Sequence, residues 1–195
     1  MSEIYINVEN VYNAGIEINE DGQKIQKIFN NAKDLVEDLS KEWSGNLYSL
    51  FVDYYRNETD NIKRIIRFVK NNLPKALQEV TRLYIKADKG EEFTRNSFNT
   101  SPDYSAPARA KSKEIKFDDK IEEKKEKMDI QLNSAINIIK AIKTTIKKLE
   151  WTGENATSFK EKVKEDLNQI EEYLDSFKQD IDAVFDANLE TTKSL

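Results

Sequence analysis

Hydrophobic residues in the first forty positions recur with the spacing of one face of a long helix. Two apolar positions in every seven are typical of a helix that packs at a shallow angle against a neighbour. The pattern predicts a helix from Val8 to Lys41, preceded by a frayed lead-in over residues 1–7. The packing face of this helix consists of Val11, Gly15, Ile18, Gly22, Ile25, Phe29, Ala32, Val36 and Leu39.

Two glycines lie on this face, although glycine costs up to about 1 kcal/mol relative to alanine inside a helix. Gly15 and Gly22 have two interpretations of equal weight. Either their missing side chains let another helix approach closely, or the first turns of the helix are irregular.

A second helical pattern runs from Leu47 to Ala87 and weakens between Tyr55 and Asn61. Pro74 lies inside this pattern. Because proline removes a backbone donor and clashes with the preceding turn, we predict a kink or short break around residues 71–74.

The helical pattern fails after Gly90. Residues 93–111 hold two of the three prolines together with many serines, threonines and asparagines, which predicts a linker. Within it, Phe98 and Tyr104 are candidates to pack on a helix. A third helix is predicted to start near Ser112 with a mostly charged opening, and a fourth is predicted to run to about Leu189.

One tripeptide pattern interrupts the helices twice. Trp43-Ser44-Gly45 and Trp151-Thr152-Gly153 contain the only two tryptophans of the chain, and a phenylalanine follows each tryptophan after eight residues. Gly45 and Gly153 tolerate the positive φ of a tight reversal, and the hydroxyls of Ser44 and Thr152 are suited to cap the next helix. We therefore interpret the chain as a duplicated helix–turn–helix unit.

This duplication predicts an all-α fold. Residues 1–92 form a first helical hairpin, residues 93–111 a linker, and residues 112–195 a second hairpin. A single hairpin leaves part of its apolar face uncovered, whereas two hairpins close a four-helix bundle. We expect two long antiparallel hairpins that pack as an intramolecular four-helix bundle.

The amino-acid composition excludes several kinds of functional site. The 195 residues include no cysteine and no histidine, which excludes disulfides, thiolate or histidine metal sites and histidine-based catalytic triads. A net charge of −5 argues against a nucleic-acid-binding surface. No apolar run approaches the ~20 residues of a membrane-spanning helix, and residues 1–10 lack the features of a cleavable signal peptide.

The paired Trp-x-Gly turns between long apolar-striped helices resemble the WXG family of small secreted helical hairpins, the relatives of early secreted antigenic target. The resemblance rests on Trp43 and Gly45 and on Trp151 and Gly153. It implies hairpins that pair into a four-helix bundle and leave the bacterial cytoplasm folded through a type VII (ESX-type) secretion system. On this resemblance, the chain is a tandem fusion of two such hairpins. It would be a monomer in which the two hairpins pair with each other as the two chains of a family dimer do.

The resemblance also implies an export signal, Tyr-x-x-x-Asp/Glu, after the second helix of a hairpin. Tyr84 and Asp88 match this signal at the end of the first hairpin. Alternatively, Tyr84 is a packing residue and Asp88 follows it by chance. The second hairpin departs from the pattern, because Tyr173 is followed four residues later by Phe177.

Three functions remain open at this stage. The first is a secreted, non-enzymatic type VII substrate that contacts the secretion ATPase and acts as an effector or as a carrier of a co-secreted protein or toxin. The second is a cytoplasmic adaptor that is not exported, and the third is a protein that perturbs membranes. The carboxylates are scattered, and the sequence has no phosphate-binding loop and no cluster of metal ligands, which argues against an enzyme. We therefore expect no catalytic residue, no metal and no cofactor.

Overall fold

The computed structural model confirms the all-α prediction: 80% of the residues that it describes are helical, and the helices pack on one another. It describes residues 3–90, 98, 102–111 and 114–193, with side chains as far as residue 190. The helices, in chain order, are α1 (Val8–Asp38), α2 (Asn46–Asn57), α3 (Thr59–Arg67), α4 (Leu73–Lys89), α5 (Ile121–Lys147) and α6 (Glu154–Lys193). A short 3-10 turn, Leu39–Lys41, extends α1, and a π-helical turn, Phe68–Asn72, joins α3 to α4.

The packing face predicted for the first helix is confirmed. Its large apolar residues are buried, and α1 with its 3-10 extension covers the predicted span from Val8 to Lys41. The fully buried members of this face are Val11, Ile18, Ile25, Phe29, Ala32, Val36 and Leu39.

The predicted break near Pro74 takes the form of the π-helical turn. Pro74 has no amide hydrogen, so the carbonyl of Lys70, four residues earlier, loses its helical donor. The buried side chain of Asn19 replaces that donor, since its Nδ2 lies 2.6 Å from the Lys70 oxygen. In the wider π-helical turn, the Leu73 amide donates to the Phe68 carbonyl. Main-chain groups next to the proline therefore keep hydrogen-bond partners.

Both glycines on α1 lie where another segment approaches closely, so the first of their two interpretations is confirmed. A Cβ at Gly22 would lie 2.5 Å from the Cα of Lys70, in the π-helical turn. A Cβ at Gly15 would lie 3.3 Å from the carbonyl oxygen of Pro74. Gly22 is thus the tightest backbone approach among the glycines of the chain.

The chain forms two compact units, and each unit contains a segment of both predicted hairpins. Unit 1 consists of Met1–Ile25, Arg64–Pro102 and Asn137–Glu171. Its buried core includes Val11, Ile18, Ile66, Leu77, Ile139 and Leu167. Unit 2 consists of Gln26–Lys63, Asp103–Ile136 and Glu172–Leu195, with a core that includes Phe29, Phe51, Tyr55, Met128 and Phe177.

Part of the linker is anchored in unit 2, and the prediction for Tyr104 is confirmed. Tyr104 is buried and meets the ring of Phe29 edge-on, with 6.4 Å between centroids. Asn30 Nδ2 donates to the Asp103 carbonyl at 2.9 Å, and the Ala108 amide donates to Glu37 at 2.9 Å. Phe98 is half-buried, and most of residues 91–101 lie outside the described part of the chain.

Two boundary predictions are wrong. Residues 1–7 are not uniformly frayed, because residues 4–7 lie extended and pair with the second Trp-x-Gly turn. The third helix begins at Ile121 rather than near Ser112, because residues 114–116 are not helical and bond to the first turn. In both places, main-chain bonds to a turn hold the chain out of a helix.

Candidate functional site

The glycines of the two Trp-x-Gly turns adopt the conformation that the sequence predicts. Gly45 has φ +104° and Gly153 has φ +107°, a region that side-chain-bearing residues rarely enter. In each turn the next helix starts one residue later, at Asn46 and at Glu154.

The capping role predicted for the middle residue of each turn is wrong. Gly45, not Ser44, occupies the cap position of α2 and has no side chain to bond with. The Ser44 hydroxyl instead donates to the Glu114 carbonyl at 2.6 Å. The Thr152 hydroxyl accepts the amide of Tyr5 at 3.1 Å. Both hydroxyls bind the non-helical segment that precedes a helix of the other hairpin.

We call residues 4–7 the N-terminal strap and residues 114–116 the linker strap. Each strap pairs with the Trp-x-Gly turn of the hairpin to which it does not belong. The Thr152 amide donates to the Tyr5 carbonyl at 2.8 Å, and the Ser44 amide donates to the Lys116 carbonyl at 3.0 Å. Ile4 lies over Gly153 as Ile115 lies over Gly45, so the two pairings are equivalent.

The N-terminal strap continues into a polar junction with the end of α5. The Asn7 amide donates to the Glu150 carbonyl at 2.8 Å, and Asn7 Nδ2 donates to the Glu150 carboxylate at 2.9 Å. The Glu150 amide donates to the side chain of Asn10 at 2.9 Å. Asn7 also caps α1, because its Oδ1 accepts the Asn10 amide.

A lysine ammonium binds the carbonyl two residues before each tryptophan, although the two lysines come from different places. Lys160, on α6, donates to the carbonyls of Leu149 at 2.8 Å and Trp151 at 2.9 Å. Lys116, on the linker strap, donates to the carbonyl of Lys41. The lysines thus satisfy main-chain oxygens just beyond the end of a helix.

Replacing Lys160 by methionine is expected to lower the free energy of unfolding by about 1–2 kcal/mol, because two carbonyls lose a charged donor. Urea unfolding followed by circular dichroism measures the change. Lys164→Met is the control, since Lys164 is exposed on the same helix. Equal losses in the two variants would show that the Lys160 bonds contribute nothing specific.

Trp43 is completely buried in unit 2 among aromatic side chains. Its ring stacks on Phe51 at 5.5 Å and lies 6.2 Å from Phe185. Tyr48 also contacts the indole at 5.5 Å and donates its hydroxyl to the Val36 carbonyl, and burial raises the pKa of that hydroxyl to about 12. The indole Nε1 has no hydrogen-bond partner among the described residues.

Trp151 has a different environment in unit 1. Its Nε1 donates to the hydroxyl of Tyr84 at 3.2 Å, and the two rings meet edge-on with 6.2 Å between centroids. Phe159 covers the indole at 5.5 Å. The second Trp-x-Gly turn therefore contacts Tyr84, the tyrosine of the candidate export signal, within unit 1.

Tyr84 and Asp88 lie in the last turns of α4. They are four residues apart and therefore share a face of the helix. Tyr84 is half-buried against Trp151, whereas Asp88 is exposed. Gly90, with φ +66°, ends the helix two residues later, and its amide donates to the Lys86 carbonyl at 2.9 Å.

One aromatic residue of the other hairpin contacts each tryptophan, Tyr84 at Trp151 and Phe185 at Trp43. Both pairs have 6.2 Å between centroids, but the Phe185 ring is tilted at 42° to the indole whereas the Tyr84 ring meets it edge-on at 80°. Phenylalanine has no hydroxyl for the indole, and the residue four positions later is Leu189 instead of an aspartate. Among the described residues, an indole–tyrosine hydrogen bond with a carboxylate four residues after the tyrosine is found at the Trp151 turn and not at the Trp43 turn.

The sequence interpretation missed the straps, although the sequence contains a signal for them. Residues 3–7 read Glu-Ile-Tyr-Ile-Asn and residues 114–118 read Glu-Ile-Lys-Phe-Asp. Both follow the pattern Glu-Ile-x-apolar-Asn/Asp just before a helix. The same duplication that revealed the tryptophans therefore extends to the segments that bind their turns.

No group of three or more carboxylates among the described residues is arranged to hold a metal ion. None of the described helices has the length and apolar composition needed to span a membrane. Comparison of the chain with protein-family models, curated proteins and solved structures found no match.

Proposed function

We propose that the chain is a secreted, non-enzymatic helical protein that a type VII secretion system exports folded. It acts through protein–protein contacts, either as an effector or as a carrier of a co-exported protein. The proposal starts from the resemblance of its two Trp-x-Gly turns to those of WXG hairpins. The positive φ of Gly45 and Gly153 supports that resemblance, because both glycines have the conformation that such a turn requires.

The contact between Tyr84 and Trp151 carries the proposal. Tyr84 belongs to the first hairpin and Trp151 to the second, yet a 3.2 Å hydrogen bond joins them. Asp88 stands exposed one turn after Tyr84. The indole–phenol pair and the exposed carboxylate one helical turn beyond it all lie in unit 1. We infer that the secretion ATPase recognises this site.

The proposal assigns one export site to the chain rather than two. The residue of the second hairpin that contacts Trp43 is Phe185, which has no hydroxyl, and Leu189 stands four residues after it. Trp43 is completely buried and has its indole nitrogen unpartnered among the described residues, which suits a packing role.

Asp88→Asn is expected to abolish most export without destabilising the protein. Asp88 is exposed in the last turn of α4, where a negative charge opposes the helix dipole, so its loss is neutral or slightly stabilising. The measurement is the fraction of protein in the medium and in the cells of a native culture. Tyr84→Phe, which removes only the hydroxyl that accepts Trp151 Nε1, is expected to reduce export as well.

Two controls accompany this measurement. Asp175→Asn removes an equally exposed carboxylate from α6 and should leave export unchanged. Deletion of the secretion ATPase should retain the wild-type protein in the cell. If the wild-type protein reached the medium without the ATPase, the proposed route would be wrong; if it never left the cell, the cytoplasmic adaptor would be the better interpretation.

A further inference from the structure

The N-terminal strap is bonded to the turn that bears Trp151 by several polar contacts. Tyr5 contributes two of them through its main chain, one to the amide and one to the hydroxyl of Thr152. Asn7 contributes two more to Glu150, through its amide and its side chain. The strap therefore brackets Trp151 with bonds to the residues immediately before and after it.

Local main-chain bonds hold this turn on either side of Thr152: the Trp151 amide donates to the Leu149 carbonyl at 2.8 Å, and the Thr157 amide donates to the Gly153 carbonyl at 3.0 Å. Helix α5 ends at Lys147 and α6 begins at Glu154, so Trp151 lies between them in irregular backbone. Lys160 holds the carbonyls of Leu149 and Trp151, whereas the strap holds the amide of Thr152. Loss of the strap would leave that amide and hydroxyl to water, so Thr152, the residue after Trp151, would lose the bonds that hold it.

The contact that the turn supports depends on where the turn lies. The distance from Trp151 Nε1 to the Tyr84 hydroxyl is 3.2 Å, at the long end of the range for an N–H···O hydrogen bond. A shift of the turn away from Tyr84 would lengthen and weaken this bond. The position of the strap is thus coupled to the geometry of the Trp151–Tyr84 pair.

We propose that the N-terminal strap is a positioning segment of the export site, which holds the Trp151 turn so that its indole stays bonded to Tyr84. This inference rests on the proposed function. It adds that recognition depends on residues at the start of the chain, far in sequence from both Tyr84 and Trp151. The linker strap makes the corresponding main-chain bond to the Trp43 turn, from the Ser44 amide to the Lys116 carbonyl, and so provides an internal comparison at a turn whose indole has no partner among the described residues.

Four substitutions separate positioning from general stability. Tyr5→Pro removes the amide that bonds the Thr152 hydroxyl, and Thr152→Val removes that hydroxyl while keeping the side-chain shape. Tyr5→Phe keeps both main-chain bonds, because only the main chain of Tyr5 pairs with Thr152. Ser44→Ala removes the matching hydroxyl contact at the other turn, to Glu114.

The first readout is the pair of indole N–H signals in a ¹H–¹⁵N NMR spectrum of the folded full chain, assigned with Trp43→Phe. In Tyr5→Pro and Thr152→Val, the Trp151 signal is expected to shift and to exchange faster with water, whereas the Trp43 signal stays in place. In Tyr5→Phe and Ser44→Ala, the Trp151 signal should keep its wild-type position. A Trp151 signal unmoved in both Tyr5→Pro and Thr152→Val would overturn the inference.

The second readout is export from the native host. The two variants that move the Trp151 signal are expected to lose most of the exported fraction, and the two controls are expected to export normally. If wild-type export requires the ATPase but Tyr5→Pro and Thr152→Val export normally, the strap inference fails and the proposed function stands. If wild-type export does not require the ATPase, the proposed function fails, and the NMR readout still decides whether the strap positions Trp151. Should Tyr5→Pro lose its helical circular dichroism, Thr152→Val decides both readouts.

Discussion

Gly22→Ala is expected to lower the free energy of unfolding by about 2 kcal/mol or more. The new Cβ would lie 2.5 Å from the Cα and 2.6 Å from the nitrogen of Lys70, and backbone atoms cannot rotate away. Forcing a methyl group into a packed interior typically costs about 1–3 kcal/mol and occasionally more. The gain of up to about 1 kcal/mol in helix propensity offsets only part of that cost.

Relaxation around Gly22 is limited because the opposing segment is itself fixed. The π-helical turn is held by the bond from Asn19 to the Lys70 carbonyl, and Asn19 lies on the same helix as Gly22. Separating the two segments to admit a methyl group would stretch that bond. A buried carbonyl without its donor would add about 1–3 kcal/mol to the cost.

Gly15→Ala is the matched control for this prediction. Its Cβ would lie 3.3 Å from the Pro74 oxygen, a contact that a small shift relieves. The gain in helix propensity should then nearly cancel the strain, so we expect a change within about 1 kcal/mol. Urea unfolding followed by circular dichroism measures both variants. Equal destabilisation by the two substitutions would contradict the close approach at Gly22.

The sequence predicted a break near Pro74, and close packing was one of two interpretations of the glycines of α1. The sequence did not predict that Gly22 packs against the π-helical turn at that break. A proline inside a helical pattern requires some local adjustment wherever it occurs, so one residue is enough to predict it. Which residue replaces the lost donor depends on what packs opposite. Asn19 was not predicted because it lies 51 residues from Lys70, and no local pattern marks that pairing.

At the candidate site, the sequence likewise predicted the local conformation of the turns but not their distant partners. Positive φ at Gly45 and Gly153 was predictable, because few other residues tolerate it. The partners of Ser44 and Thr152 were not, since a hydroxyl before a helix has a local use as a cap and a non-local use as a tertiary contact. In the structure, each hydroxyl bonds to the main chain of a strap: Thr152 accepts the Tyr5 amide, and Ser44 donates to the Glu114 carbonyl.

The contact between Tyr84 and Trp151 was also beyond local reasoning, although both residues were selected from the sequence. Their selection followed from the resemblance to WXG hairpins, which assigns a role to each residue separately. Their hydrogen bond depends on how α4 packs beside the turn between α5 and α6. The two turns differ because the residue of the second hairpin that contacts Trp43 is Phe185, which has no hydroxyl, and this contact also depends on tertiary packing.

Trp43→Ala is expected to lower the free energy of unfolding by about 3–5 kcal/mol, the usual cost of truncating a fully buried large aromatic side chain. Trp43 is completely buried and contacts Tyr48, Phe51 and Phe185, so its removal opens a cavity among rings that cannot all collapse into it. Urea unfolding measures the loss. Trp43→Phe should cost much less, because it refills most of the space and removes an indole N–H that lacks a partner among the described residues.

Trp151→Phe provides the decisive contrast between the two turns. It also keeps an aromatic ring, but it removes the donor to Tyr84, so we expect it to reduce export while the protein stays folded. Trp43→Phe should export normally, because the indole nitrogen of Trp43 makes no hydrogen bond within the described chain. Equal export by the two phenylalanine variants would mean that both tryptophans serve packing alone. A lower export of Trp151→Phe at equal stability would instead assign recognition to the turn that Tyr84 contacts.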